Sequence, residues 1–322
     1  MVSIKDVAKH AGVAISTVSK VLNNYPNISE ATRKKVNAAV EELNFVPNSV
    51  AAALSSKNAG RVALMIDLNV TTQAIDEMAM RYISGAITKA MELNLDVITL
   101  FVFMFQDKTT EELIRYLQSQ SITGIIIYGV AQDDLVLQEL IASEKFKCVV
   151  VDEAHVSKNT SSVTIDHKKA QYDVAKVLIE ETQAKKVLYI CGDENSYVTK
   201  TRLCGMEELA DEKSVELMIQ NANFSENKAR EIAMQYGKNV DAIVCASDLM
   251  AVGARSAMKE LQIHKPICGF DGISLMGYAG QGIYTVRQNF SQISARAMEE
   301  LQKLMNGSCG KMIEMEYSLI RN

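Results

Sequence analysis

Residues 3–56 read SIKDVAKHAGVAISTVSKVLNNYPNISEATRKKVNAAVEELNFVPNSVAAALSS. Ser3-Ile4-Lys5-Asp6 is a capping-box-like start, with Ser3 at the N-cap and an acid three residues on, favourable at the positive end of a helix. The spacing predicts a short helix to about Ala11, a turn at Gly12 and a second short helix over Ile15 to Leu22. Asn23-Asn24-Tyr25-Pro26 breaks it. Ser29 caps a third, longer helix with Val36, Ala39, Val40 and Leu43 as its apolar stripe, ended by Pro47. A last short helix is predicted from Val50 to about Ser55, then a linker to Gly60. Two short helices on a Gly turn with a third packed behind form a helix-turn-helix. Ala8, Gly12, Val13, Val18 and Val21 are spaced for packing, which leaves Ile15, Ser16, Ser19 and Lys20 facing outward. Ser and Lys on such a helix suit base edges in a major groove. Thr17, Ser19 and Asn23 are short polar groups able to reach phosphates. A helical bundle with a solvated face shares this spacing.

From Arg61 the texture changes. Strand-like runs at Val62–Leu68, Val97–Phe103, Gly124–Tyr128, Cys148–Asp152, Lys186–Cys191, Ala242–Cys245 and Pro266–Phe270 alternate with helical patterns. The latter include Ile75–Leu93, Glu111–Gln120, Ala170–Glu181, Thr199–Asp211, Lys228–Gly237 and Leu249–Leu261. Repeated βαβ units predict parallel sheets covered by helices on both faces, and some 260 residues are enough for two. The helix Ile75–Leu93 is apolar over more than one face, as suits either a buried helix or a subunit interface.

Charge is unevenly distributed. The chain carries −5 overall, but residues 1–60 hold seven basic against four acidic side chains, net +3, leaving −8 for the rest. A basic head on an acidic body directs polyanions to one end. No apolar h-region opens the chain, and the densest apolar run, Leu95 to Phe105, has the length of a buried strand. A cytoplasmic protein without membrane contact is expected. The six cysteines form no CxxC pair, and those at 148, 191, 245 and 268 sit in or beside β-branched runs, which predicts buried free thiols. His10, His155, His167 and His264 have no metal-ligand spacing. No nucleophile elbow, Walker A loop or GxGxxG occurs, so neither an enzyme nor a cofactor is expected. A pure solute-binding module would explain the body but not the head.

IKDVAKHAGV, STVSKVLN, ISEATRKKVNAAVEELNFVPN and VAAALSS together resemble the DNA-binding headpiece of the LacI/GalR family of bacterial repressors. The resemblance implies that Ile15, Ser16 and Lys20 read bases. It implies phosphate contacts at Thr17, Ser19, Asn23, Asn27, Ser29 and Thr32. Asn48, Ala51 and Leu54 would belong to a hinge helix whose leucine wedges into the minor groove. That helix is too short to be stable alone in water. Two departures stand out. Ala14 replaces the usual Ser or Thr, which removes an N-cap worth ~1 kcal/mol. Lys20 replaces the commoner Arg and lacks its bidentate fork.

The remainder resembles the family's two-lobed, periplasmic-binding-protein-like sensor, through Arg202-Leu-Cys-Gly205, Ala246-Ser-Asp-Leu-Met-Ala-Val-Gly253 and Gly269-Phe-Asp-Gly272. The expected architecture is therefore a headpiece at 1–46, a hinge helix and linker at 47–60, and a two-lobed domain of two doubly wound sheets at 61–322. A cleft at the carboxyl ends of two sheets binds small molecules. Arg202 and Asp271 suit a sugar there, or one another. Ser247, Asp67, Asp166, Tyr128 and Tyr278 are further wall candidates. Asp67-Leu-Asn-Val-Thr-Thr72 replaces the family's Asn-Pro-Phe loop, Ser247 a common Asn, Lys147-Cys148 an apolar-Pro pair and Ala170 a common Gly. The expected protein is a homodimeric repressor, without a tetramer-forming tail, that binds palindromic operator DNA under control of a sugar-like effector.

Overall fold

The computed structural model describes residues 2–22, 25, 27–45, 61–67, 77–279 and 282–321. The expected hinge, with Asn48, Ala51 and Leu54, lies outside them, as do Asn23, most of the Asp67–Thr72 loop and the first two residues of the Ile75–Leu93 helix. The chain divides into two compact units, Met1–Ala59 and Gly60–Asn322.

In the first unit three helices span Ile4–Ala11, Ile15–Leu22 and Glu30–Glu42. The amide and hydroxyl of Ser3 donate to Asp6 Oδ2 at 2.9 and 2.7 Å, and these bonds hold the Asp6 carboxyl below its ordinary range. Gly12 ends the first helix at φ 69°, the left-handed geometry that favours glycine. Val7, Ala8, Val18, Val21, Val36 and Ala39 form the core, and His10 bonds Glu42 at 2.6 Å. Ala14 accepts the first backbone bonds of the second helix, from Thr17 and Val18, but has no side-chain oxygen to cap it. Ala14→Ser is expected to raise head stability by ~1 kcal/mol, read as a higher urea midpoint for that unit. An unchanged midpoint would show the helix start is already satisfied.

The second unit holds two six-stranded sheets. In the first, β1 (Arg61–Ile66) is flanked by β2 (Asp96–Phe101) and β3 (Ile122–Tyr128). β4 (Lys147–Val151), β5 (Thr160–Ile165) and β11 (Met312–Met315) extend it outward from β3, all in parallel. The second runs β12 (Tyr317–Arg321), β10 (Tyr284–Gln288), β9 (Ile267–Cys268), β8 (Ala242–Cys245), β6 (Lys186–Cys191) and β7 (Glu216–Asn221). It is parallel except for the β10–β12 pair. The two-lobed, doubly wound architecture is as expected.

The chain passes between lobes three times. It leaves β5 at Asp166 for helix His167–Thr182, which packs in the second lobe. It returns after β10 through helix Phe290–Met305, which packs on β3, β4, β5 and helix Glu77–Leu93. It crosses back at Glu316, between β11 and β12. Helix Phe290–Met305 and strands β5, β7, β10, β11 and β12 have no counterpart among the expected elements.

Strand β5 shows why. Thr160, Ser161, Ser162 and Thr164 are all buried, and so polar a run reads as a loop. Three of the four hydroxyls find partners in the fold: Ser161 Oγ accepts the Lys311 amide at 3.1 Å, Ser162 Oγ donates to the Glu153 carbonyl and Thr164 Oγ1 to Asp152, while the Thr160 hydroxyl is buried without one among the described residues. The expected buried strand over Leu95–Phe105 is corrected. β2 pairs only with β1, so it is an edge strand with one buried residue, Leu100. The run ends in a 3₁₀ turn, Val102–Phe105, with Phe103 and Met104 exposed. Cys148, Cys191, Cys245 and Cys268 are buried free thiols, whereas Cys204 and Cys309 are exposed. Among the described residues no helix is long and apolar enough to cross a membrane.

Candidate functional site

The first unit exposes five lysines and the polar side of its second helix. Ile15, Ser16 and Lys20 are exposed on the second helix, with Thr17 and Ser19 half-buried beside them. Val18 and Val21 point into the core, so the 3.6-residue repeat turns 15, 16 and 20 outward. Ser29 caps the third helix by accepting from the Thr32 amide at 3.3 Å, and the two hydroxyls share a 2.8 Å bond. Both therefore have a structural role whatever else they contact. Asn27 is exposed in the preceding turn. Arg33 is held by the Tyr25 carbonyl, whereas Lys5, Lys9, Lys20, Lys34 and Lys35 are exposed.

In the second unit a cleft of about 510 Å³ opens between the sheets at their carboxyl ends. Strand ends supply most of its wall. Asp67 follows β1, Tyr128 closes β3, Asp152 follows β4, Asp193 follows β6, Ser247 follows β8 and Asp271 follows β9. Several turn through left-handed backbone as they enter: Asp152 at φ 64°, Asn223 at 50°, Phe224 at 56° and Asp271 at 123°. Asp and Asn enter the left-handed region readily, but φ 123° at Asp271 lies well outside that well and is uncommon for any residue but glycine.

A chain of bonds crosses the floor. Tyr82 donates to Asp152 Oδ2 at 3.1 Å, and Asp152 Oδ1 lies 3.0 Å from His167 Nε2. The other ring nitrogen, Nδ1, lies 3.3 Å from both Nε and NH2 of Arg202. Since an arginine only donates, His167 must accept at Nδ1 and donate from Nε2 to Asp152, which makes it neutral. Its pKa is correspondingly depressed, by burial and by the neighbouring Arg202 charge, against the pull of Asp152. Burial raises the Asp152 carboxyl, but its contacts to His167, Arg202 and Tyr82 outweigh that and hold it below the ordinary range. Arg202 is 4% exposed. It donates from NH1 to the Ala246 carbonyl at 2.5 Å and stacks 3.7 Å from the Phe270 ring centroid. Its distance to Asp271 is 3.7 Å, a loose ion pair.

Asp271 receives the Gln288 amide at 3.1 Å. Behind it, Asp248 accepts the Gly272 and Ile273 amides at 2.7 and 2.9 Å and the Thr285 hydroxyl at 2.6 Å. The Ala246–Gly253 and Gly269–Gly272 motifs are thus two sides of one contact. A side chain at 269 would meet Asp248 Oδ1 at 2.3 Å, and Gly272 needs its φ of 72°.

Burial pushes Asp271 up to about 8, against the Arg202 charge and with help from Asp248; burial pushes Asp248 up to about 6. Between its ordinary value of 3.8 and about 8, the folded state therefore holds a proton on Asp271 that the unfolded state has released. Stability must fall as pH rises through that window, with a slope of up to ~1.4 kcal/mol per pH unit. Asp271→Asn should flatten the decline between pH 5 and 8 in a denaturant-midpoint series. An unaltered slope would assign it to other groups.

Of the residues singled out in the sequence, Arg202, Asp271, Ser247, Asp67, Tyr128 and Tyr278 line the cleft. Ser247 also caps helix Asp248–Glu260 through the Met250 amide, and the Tyr128 hydroxyl is bonded to Ser294. Asp166 is not among the lining residues: its carboxylate caps helix His167–Thr182 through the Lys169 amide at 2.9 Å. Asp152, His167, Tyr82, Asp248 and Phe224 were not singled out. The available signal for Asp152 was an Asp directly after a β-branched strand, Val149-Val150-Val151-Asp152.

The helical head and the two-lobed α/β body define a DNA-binding regulator with a solute-binding-type domain. Residues 3–48 match the profile of bacterial regulatory proteins of the lacI family, and residues 80–280 match periplasmic binding proteins and sugar binding domains of the LacI family. The chain belongs to the LacI family of bacterial transcriptional regulators, and it is not an enzyme. It is 28% identical to the HTH-type transcriptional regulator RegA of Clostridium saccharobutylicum, over 94% of this chain and 92% of that one. It is 26% identical to catabolite control protein A of Staphylococcus aureus (strain MRSA252), over 95% and 93%. Its fold is that of the lac repressor dimer bound to operator and the anti-inducer ONPF (TM-score 0.85, 22% identity, 99% and 98% covered). The transcriptional regulator CelR–cellobiose complex also shares it (TM-score 0.72, 21% identity, 100% and 99% covered).

Proposed function

We propose that the protein is a cytoplasmic, homodimeric repressor of palindromic operator DNA, controlled by a small polyhydroxylated molecule bound between the lobes. The carrying observation is the cleft itself. Strained strand ends and a buried bonded floor converge on a space the size of a mono- or disaccharide, walled by Tyr82, Tyr128, Phe224 and Phe290. Arg202, Asp271, Ser247, Asp67, Tyr128 and Tyr278 are its proposed effector contacts. In the head, Ile15, Ser16 and Lys20 read bases. Thr17, Ser19, Asn23, Asn27, Ser29 and Thr32 hold phosphates, and Asn48, Ala51 and Leu54 act through the hinge. The working units are 1–46, 47–60 and 61–322.

Dimerisation has support on helix Glu77–Leu93. Its inner face buries Ala79, Tyr82, Ala86 and Ala90, while Met80, Ile87 and Met91 are 63%, 41% and 74% exposed along another face. Control follows from contacts that span the lobes on two sides of the cleft. Glu77 accepts the Ser274 amide at 2.8 Å. Opposite, Gln132 donates to the Asn195 carbonyl at 2.8 Å and Asn195 to Asp133 at 2.9 Å. A ligand that favours one lobe arrangement shifts the equilibrium toward it, and linkage makes DNA and effector report on one another.

The test uses the full chain. Duplexes selected from a random pool should converge on a two-fold symmetric site. Affinity for that site should fall about a thousandfold between 50 and 200 mM salt. A sugar that raises the melting temperature should change operator affinity. Failure to enrich any duplex would end the repressor reading.

A further inference from the structure

The cleft is lopsided in charge. Among its described lining residues stand five carboxylates, Asp67, Glu77, Asp152, Asp193 and Asp271, and a single cation, Arg202. Each of the five has partners within the protein, Asp152 and Asp271 through the bonds described above. Glu77, at the rim, pairs with Arg81 at 2.5 Å, and Asp193 accepts the Asn195 amide in its turn at 2.8 Å.

The cation is already heavily engaged by the protein. Arg202 is buried, its Nε and NH2 face His167, its NH1 holds the Ala246 carbonyl, and its plane is covered by Phe270. A phosphate or carboxylate on the ligand would have to displace these bonds while facing Asp152 and Asp271. An ammonium group would meet the opposite field. It would find carboxylates from both lobes, Asp152 and Asp271, and aromatic rings at Tyr82, Tyr128, Phe224 and Phe290. A desolvated cation over such faces gains further. Tyr82 and Tyr128 lie 4.7 Å apart, and Tyr82 meets Phe290 edge-on at 5.2 Å, so this wall is one continuous aromatic surface.

We infer that the cleft selects an amine-bearing saccharide over its neutral or phosphorylated counterpart. The inference rests on the reading of the cleft as the effector site. It carries a second consequence. The charged and titratable groups facing Asp271 are Arg202, Asp248 and Tyr82, with Gln288 donating to it. An ammonium added to that set draws Asp271 into its ionised form and expels its proton.

The test is a panel of mono- and disaccharides, each offered to the full chain as the neutral sugar, the amino sugar and the phosphate. The readouts are thermal shift, then calorimetry at pH 7 in two buffers of different ionisation heat. The tightest binder should be an amino sugar, about tenfold or more above its neutral partner, with about one proton released on binding. Asp271→Asn should abolish both the preference and the release. A neutral or phosphorylated sugar as the tightest binder, or binding without proton release, overturns the charge inference and leaves the cleft as the effector site. If no member of the panel shifts the melting temperature, the saccharide reading falls with it.

Discussion

Replacing Arg202 by methionine is expected to destabilise the second unit by ~3–5 kcal/mol. The side chain is almost fully buried, donates to His167 and the Ala246 carbonyl, and stands 3.7 Å from the Asp271 carboxyl. Methionine fills much of the volume but donates nothing. It leaves Asp152 facing a histidine whose Nδ1 has lost its donor, and a carbonyl with no partner. Removing one member of a buried charged network costs far more than the network contributes against an apolar replacement of the whole. The measurement is the urea midpoint of the full chain followed by tyrosine signals, since ten of the eleven tyrosines lie in this unit. Arg202→Lys should recover only part of the loss, because one ammonium cannot reproduce the planar fork or the stacking on Phe270. A midpoint within ~0.5 kcal/mol of the parent would show that water replaces the guanidinium, and the floor would then be a hydrated site.

The second large effect is expected one helical turn away. Gly205→Ala adds a single methyl carbon, yet an ideal Cβ there would lie 2.1 Å from the Lys168 carbonyl oxygen. Helices His167–Thr182 and Tyr197–Lys213 cross at that point with backbones in contact. Backbone cannot rotate away as a side chain can, so the helices must separate, at ~2–3 kcal/mol. The ordinary helix-propensity gain of Gly to Ala, up to ~1 kcal/mol, opposes this and is outweighed. Both positions this crossing sets, His167 and Arg202, belong to the cleft floor. Gly205→Ala should therefore lower the urea midpoint and also weaken any ligand that binds the cleft. Lost stability with unchanged ligand affinity would separate the crossing from the site. Arg202 and Gly205 thus form one feature, with a glycine that allows close approach and an arginine that the approach buries.

Much of this was legible along the chain. The head follows from local chemistry: a capping acid at Asp6, a left-handed turn at Gly12, an oxygen cap at Ser29 and apolar residues at helical spacing. Those effects act within a few residues, so they survive being read in one dimension. The alternation of β-branched runs with helical patterns likewise gave the layered body. Ser247 and Asp271 stand out because each follows a strand at a sheet's carboxyl end, and Arg202 because it lies in the second turn of a helix that starts there.

Other features exist only in the folded chain. Tyr82, Asp152, His167 and Arg202 span 120 positions, and nothing local brings them together; parallel pairing in two sheets does. The polar run of β5 becomes a buried strand because neighbouring strands and carbonyls satisfy three of its four hydroxyls. Helix Phe290–Met305 returns to the first lobe because the apolar face that covers β3 to β5 is there. Asp166, a plausible wall residue by position, turns instead to cap the helix that carries His167. Ionisation is the clearest case. Asp152 and Asp271 are the same residue type at equivalent strand ends, yet one is held low by its donors and the other pushed up to about 8 by burial. Sequence determined that carboxylates would stand at the cleft. Tertiary structure decided which keep their charge, because desolvation and the donors each carboxyl meets are properties of the packed molecule.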